Sequence, residues 1–161
     1  MSVQLQPYEE NYKNSIRHFY LPEDQLYFTA MPTESVDLAE GDPTRHPVTI
    51  LADGKPVGMF VLQDGPRVQE YTHHKNALLL IAYMIDRSEQ GKGYATHSLR
   101  KLPNYIREYF PEISHVVLAV NMKNHSAQRV YQKCGFVDKG ERKLGKKGWQ
   151  MILEQSFEKN V

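Results

Sequence analysis

A single cysteine, Cys134, stands among the 161 residues. One thiol excludes an internal disulfide and leaves no cysteine framework for a metal. The adjacent pair His73-His74 does not supply one either. Neighbours on an extended chain point to opposite sides, so no shared metal is expected. Long apolar runs are missing as well. No stretch reaches the ~18 residues that a membrane span requires, and the N-terminus lacks the apolar core of a signal peptide. A cytoplasmic protein without a membrane partner is the expectation. The sequence shows no internal repeat, low-complexity tract or linker, and its length suits one domain, residues 1–161, with a core of its own. Net charge is only +1. The turn Gly145-Lys146-Lys147-Gly148 has no interleaved aromatics on which bases could stack. It reads as a solvated hairpin tip, and no nucleic-acid partner is expected.

What is present is organised around Gln90-Gly91-Lys92-Gly93-Tyr94-Ala95-Thr96. An almost continuous apolar run, residues 77–85, precedes this stretch and reads as a buried strand. After it, Ala95, Leu99, Leu102 and Ile106 fall at helical intervals. A strand that turns through glycines into a helix offers unpaired N–H groups at a positive dipole end, which suits a phosphate. The spacing fits neither a P-loop nor the dinucleotide fingerprint. Pro103 removes a donor and crowds the carbonyl of Leu99. The helix therefore either kinks there or breaks and restarts with the proline in a new first turn.

Taken in order, Val3 and Leu5 alternate with polar residues as in a short strand. Tyr8, Tyr12, Ile16 and Phe19 keep helical intervals, predicting a first helix over 8–19. Thr33 to Gly41 reads as a second helix, with Thr33 as N-cap and the glycine as stop. Strands follow over 48–52 and 56–63, joined by Asp53-Gly54, a strong hairpin signal. Residues 115–120 form the next strand. A helix separates it from the strand before, so the two are expected to run parallel. Ala127, Val130, Tyr131 and Cys134 make one helical stripe that Gly135 ends, with Cys134 a packed core thiol. Two strands, 137–142 and 149–157, close the chain.

The pattern Gln90-x-x-Gly93-x-Ala95 resembles the pyrophosphate-binding loop of the GCN5-related N-acetyltransferases (GNAT), of the type that acetylates small-molecule amines. A second motif, Asn124-x-x-Ala127-x-x-x-Tyr131-x-x-x-Gly135-Phe136, follows at the expected distance, and the element order matches along nearly the whole chain. The resemblance implies an α/β (α+β) fold whose mixed sheet of about seven strands is splayed between two parallel strands, with about four helices. It implies acetyl-coenzyme A as donor. Backbone groups of Tyr83, Met84 and Ile85 would pair with the pantetheine arm, and Gln90, Gly91, Lys92, Gly93, Tyr94, Ala95 and Thr96 would wrap the pyrophosphate. Asn121 and Asn124 would bond the pantetheine. Asn124 and Tyr131 lie two turns apart, roughly 10 Å along one helix face, and Tyr131 would protonate the departing thiolate. Several members place a carboxylate in the strand before the glycine loop. Here that stretch reads Leu80-Ile81-Ala82-Tyr83. Glu70, Tyr71, His73, His74 or a water chain would have to take the amine's proton, and the base stays unassigned.

Charge is split along the chain. Residues 1–86 hold 12 acidic and 6 basic side chains, whereas 87–161 hold 7 and 14. In the GNAT fold the first half borders the acceptor, and Glu34, Asp37, Glu40, Asp42 and Glu70 fall in those bordering segments. Glu34, Glu70 and Tyr71 are the expected acceptor contacts, and a small cationic amine such as a polyamine is the expected partner. Two other readings use the same residues. One is a protein N-terminal or lysine acetyltransferase, which would need an open groove where residues 20–43 look more like a cover. The other is a non-catalytic coenzyme A-binding module. A homodimer through the C-terminal strands is left open.

Overall fold

The structure, a computed structural model, describes residues 2–29 and 31–157. Seven strands form one mixed sheet: β1 (Val3–Pro7), β2 (Arg45–Ala52), β3 (Lys55–Gln63), β4 (Ala77–Ile85), β5 (His115–Asn121), β6 (Val137–Gly145) and β7 (Gly148–Ser156), in the order β1-β2-β3-β4-β5-β7-β6. Asp53 and Gly54 both take positive φ, 49° and 82°, as the tight turn between β2 and β3 requires. The described residues hold six α-helical segments, more than the four expected: α1 (Lys13–Arg17), α2 (Glu23–Leu26), α3 (Pro32–Glu40), α4 (Tyr94–Arg100), α5 (Leu102–Tyr109) and α6 (His125–Lys133).

Two helix boundaries differ from the sequence expectation, and a choice left open at Pro103 is decided. The first helix is shorter than 8–19, because the N–H of Tyr8 still donates to the carbonyl of Pro47 and so extends the strand ladder. A single 3-10 turn, Glu10–Tyr12, then leads into α1. In α3 the cap position is Met31, with Pro32 in the first turn and no side-chain cap, so Thr33 is helical instead. The Pro103 segment breaks rather than kinks. Helix α4 ends at Arg100 and α5 begins at Leu102 with Pro103 in its first turn, where a missing N–H costs no intrahelical bond.

Helices α4, α5 and α6 cover one face of the sheet. Leu99, Leu102 and Ile106 there pack on Leu78, Leu80, Val116 and Leu118, each side chain contributing about 1.5–3 kcal/mol by burial. The α1–α3 segment covers the other face through Ile16, Leu21 and Val36 against Met59, Val61 and Met84.

Between these layers the sheet opens. Strands β4 and β5 run parallel and pair from Ala77↔His115 to Leu79↔Val117, with no register beyond. Past that point β5 keeps its antiparallel partner β7 as far as Asn121↔Gln150, and β4 keeps β3. The two strands thus diverge like a wedge, leaving the facing edges of 80–85 and 118–121 without a ladder.

Candidate active site

The wedge has a local cause. Ala82 takes a left-handed φ of 55°, and the β3–β4 register jumps from Val61↔Ile81 to Met59↔Met84. An extra residue of this kind bends a strand and reverses which face its side chains meet. Leu78 and Leu80 face α4–α6, whereas Ile81 and Ala82 face α1–α3. After the bulge Tyr83 and Ile85 return to the α4–α6 side, and Met84 to the other. Gly58 lies opposite, and a Cβ there would come within 2.5 Å of the Met84 carbonyl oxygen. Glycine is what lets β3 follow the bulge so closely.

Beyond β4 the chain makes a short 3-10 turn, Arg87–Glu89, and then the glycine loop. Gly91 and Gly93 have φ of 82° and 83°, a region glycine enters without strain, and Gly93 caps α4. The Gln90 amide donates to the Ile85 carbonyl at 2.8 Å, pinning the loop to the strand it leaves. It also exchanges two hydrogen bonds with the side-chain amide of Gln25 in α2, at 3.0 and 2.8 Å. Buried Glu89 accepts from Lys92 at 3.0 Å and from Lys55 at 3.1 Å. Those bonds, that of Lys92 foremost, hold its carboxyl below the usual range.

Helix α6 approaches from the far side of the wedge. Asn124 is its N-cap, its side-chain oxygen accepting from the N–H of Ala127. Two turns on, the Tyr131 ring meets Tyr83 edge-on at 6.0 Å and Phe136 at 5.8 Å. Burial pushes the Tyr131 phenol well above its ordinary pKa, so it is a neutral O–H donor throughout the physiological range. Asn121 is tied on both ends of its side chain, donating to the Lys147 carbonyl and accepting from the N–H of Lys123. Cys134 is buried, its thiol reaches the Thr96 carbonyl at 3.7 Å, and desolvation raises its pKa. It is a core thiol and not a nucleophile.

One cavity of about 1010 Å³ runs from the glycine loop through the wedge to α2 and α3. It touches Tyr83, Met84, Ile85, Gln90, Gly91, Gly93, Tyr94, Ala95, Thr96, Asn121, Asn124 and Tyr131, residues that spacing and resemblance singled out. Lys92 does not line it. Of the three expected acceptor contacts, Tyr71 lines the cavity and Glu34 and Glu70 do not. Other acidic residues of the first half are engaged elsewhere. Glu40 pairs with Lys13 at 3.5 Å, Asp42 with Arg45 at 3.3 Å, and Asp37 borders a separate small cavity with Lys13 and Arg17.

Neither histidine considered as a base lines the cavity. His74 stacks on His115 with ring centroids 3.6 Å apart and contacts Glu154 at 3.4 Å. Ligand atoms of these three lie within 4.8 Å of one another, a grouping that the His73-His74 pair gave no hint of. Rings only 5° from parallel set their in-plane lone pairs side by side, and Lys139 already holds Glu154 at 2.8 Å. The wall residues that sequence reasoning missed include Asp24, Gln25, Tyr27, Phe28, Arg45, Arg67, Lys146 and Lys147. Only contacts distant in the chain bring them here.

A strand pair that parts, a bulge facing the gap and a glycine loop at its mouth together match what the motifs suggested. The profile of the Acetyltransferase (GNAT) family fits residues 9–136. The chain belongs to the GNAT family. Its GNAT relatives include a Bacillus subtilis protein described as the uncharacterized N-acetyltransferase YbbJ, 37% identical over 152 residues, covering 94% of this chain and 95% of that protein. A probable spermine N(1)-acetyltransferase of Bacillus subtilis subsp. natto is 25% identical, with 88% and 91% covered. Among solved structures, the aminoglycoside acetyltransferase AAC(6')-Ib with paromomycin and acetyl-coenzyme A superposes with a TM-score of 0.78 at 18% identity, covering 97% of this chain and 94% of that one. The GNAT fold, the acetyltransferase class and acetyl-coenzyme A as donor are thereby shared ground for this chain.

Proposed function

We infer that the chain moves the acetyl group of acetyl-coenzyme A to a primary amine of a small molecule, by direct attack in a ternary complex. The observation that carries this reading is the continuous cavity through the β4–β5 wedge, which lets a donor enter from the glycine loop and an acceptor from the α2–α3 side. Backbone groups on the open edge of β4 near Met84 and Ile85 bond the donor, and their N–H groups stabilise the carbonyl oxygen as it gains charge. The amine nitrogen forms its bond to the carbonyl carbon and the bond to sulfur breaks. The Tyr131 O–H hydrogen-bonds the sulfur and supplies a proton as negative charge leaves on it. The proton that the nitrogen sheds passes to solvent in the open cavity, from which Tyr131 is reprotonated.

A small acceptor is supported over a peptide. The Lys147 ammonium bonds the Tyr27 carbonyl and sits 4.7 Å over the Tyr27 ring, so the β6–β7 tip and the α2 end meet across the cavity. A polyamine is the acceptor that the charge split and the relative described as a probable spermine N(1)-acetyltransferase favour. The cavity weighs against it, because the acidic residues behind that argument, Glu34, Asp37, Glu40, Asp42 and Glu70, are not among its walls. The test is thiol release from acetyl-coenzyme A with a panel of amines that includes spermidine, at low and high salt. Amine-dependent release supports acetyl transfer. A polyamine KM that rises with salt supports the cationic acceptor, and release with no amine of the panel overturns the reading.

A further inference from the structure

The cavity carries more positive than negative charge on its walls. Asp24 and Glu89 are its acidic walls, and Glu89 is already held by two lysines. Arg67, Lys146 and Lys147 also line it, and none of them has a carboxylate within ion-pair distance among the described residues. Arg67 is the most fixed of the three. Its guanidinium donates to the side-chain oxygen of Gln63 at 2.9 Å, and Gln63 is itself buried and donates to Thr44 at 3.2 Å. The Tyr71 ring lies beside it at 5.9 Å, and Lys143 reaches the same ring at 5.1 Å. A neutral amide and an aromatic ring orient a guanidinium without neutralising it, and they leave its remaining N–H donors for a planar anion.

We propose that the acceptor amine carries an anionic group, a carboxylate or a phosphate, which Arg67 binds at the end of the cavity remote from the coenzyme loop. This rests on the acetyltransferase reading above. Coenzyme phosphates do not explain Arg67, because Gln63, which holds it, pairs with Leu79 at the end of β4 remote from residues 90–96. The register also fixes a length. Gln63 stands opposite Leu79 and Met59 opposite Met84, five residues along β4. At ~3.3 Å per residue the anchor is roughly 15 Å of strand from the reacting centre, a span that the reach of the arginine shortens. Amine and anion therefore sit at opposite ends of the acceptor, as in an ω-amino acid or an aminoalkyl phosphate, and not on one carbon.

The test is a series of constant length: 6-aminohexanoate, 6-aminohexyl phosphate, 6-aminohexanamide and 1,6-diaminohexane, with wild type and Arg67→Gln. Wild type should use one of the two anionic amines at least 10-fold better in kcat/KM than the neutral or dicationic member, and which one distinguishes carboxylate from phosphate. Arg67→Gln should lower that value about 10-fold or more through KM, lower it far less for the neutral amide, and keep the fold by circular dichroism. Arg67→Lys should recover part of the loss. Equal use of the four, preference for the diamine, or a uniform loss in Arg67→Gln overturns the anionic-group proposal while acetyl transfer stands. If no amine releases thiol, calorimetry of the anionic amines with the coenzyme A complex decides. Binding lost in Arg67→Gln upholds the anion site and removes the acetyltransferase reading, whereas no binding removes the anion site.

Discussion

Tyr131 and Gly93 are the residues on which the chemistry is most exposed to test. The Tyr131 phenol is raised above its ordinary pKa by desolvation, so it keeps its proton beyond pH 10 and contributes no loss of activity on the alkaline side below that. Tyr131→Phe should lower kcat about 10²-fold with little change in coenzyme affinity. A wild-type rate in the variant would remove it as the donor, whereas an alkaline limb below pH 10 that vanishes in the variant would keep it as donor and overturn the raised pKa. Gly93 has left-handed φ, but a Cβ there meets only the His97 ring, at 3.5 Å. Gly93→Val should therefore leave a folded protein carrying about 1–2 kcal/mol of backbone strain. It should lose coenzyme affinity at least 10-fold by calorimetry, because the branched side chain stands where phosphate approaches the loop. Unchanged affinity would place the phosphate elsewhere.

At the scale of the element, β4 matters more than the helix behind it. Its bulge at Ala82 puts Ala82 and Tyr83 on opposite faces of the sheet, along the edge where β4 has parted from β5. Valine is poorly suited to a φ of 55°, so Ala82→Val should cost about 1–3 kcal/mol in denaturant unfolding and should reduce turnover more than it reduces stability. If the variant keeps full activity, the bulge is not what shapes the wedge. Helix α6 depends on its cap in a smaller way. Asn124→Ala removes the acceptor for the Ala127 N–H and should cost about 1 kcal/mol, read as a lower melting temperature.

Across the whole molecule, Glu89 links β3 to the glycine loop through Lys55 and Lys92. Its carboxyl pKa is depressed, chiefly by the Lys92 hydrogen bond. A group of this kind contributes stability above its unfolded pKa of ~4.3 and surrenders it as pH falls through the lower folded value. Wild type should thus melt above Glu89→Gln at pH 7, and the gap should close by about pH 3. A gap that stays constant between those values would mean that Glu89 acts by packing and not by charge.

The sequence by itself determined what depends on near neighbours. Apolar periodicity placed six of the seven strands within two or three residues of their ends, and Gly93 and Gly135 marked turns that need positive φ. The strand–glycine–helix order at Gln90, the Asn124–Tyr131 spacing along α6 and the family resemblance these carry named thirteen residues, Tyr71 included, that line one cavity. An unbroken apolar run such as 77–85 has no alternation to break, so the Ala82 bulge left no trace in it. Charge counting along the chain did not locate the walls, since Glu34 and Glu70 do not line the cavity while Arg67 and Lys147 do. The tertiary structure alone decided these points, because they rest on pairings between distant residues. Gln25 meets Gln90 across 65 positions, and Lys147 meets Tyr27 across 120. Local periodicity carries no information about which side chains such folding brings together.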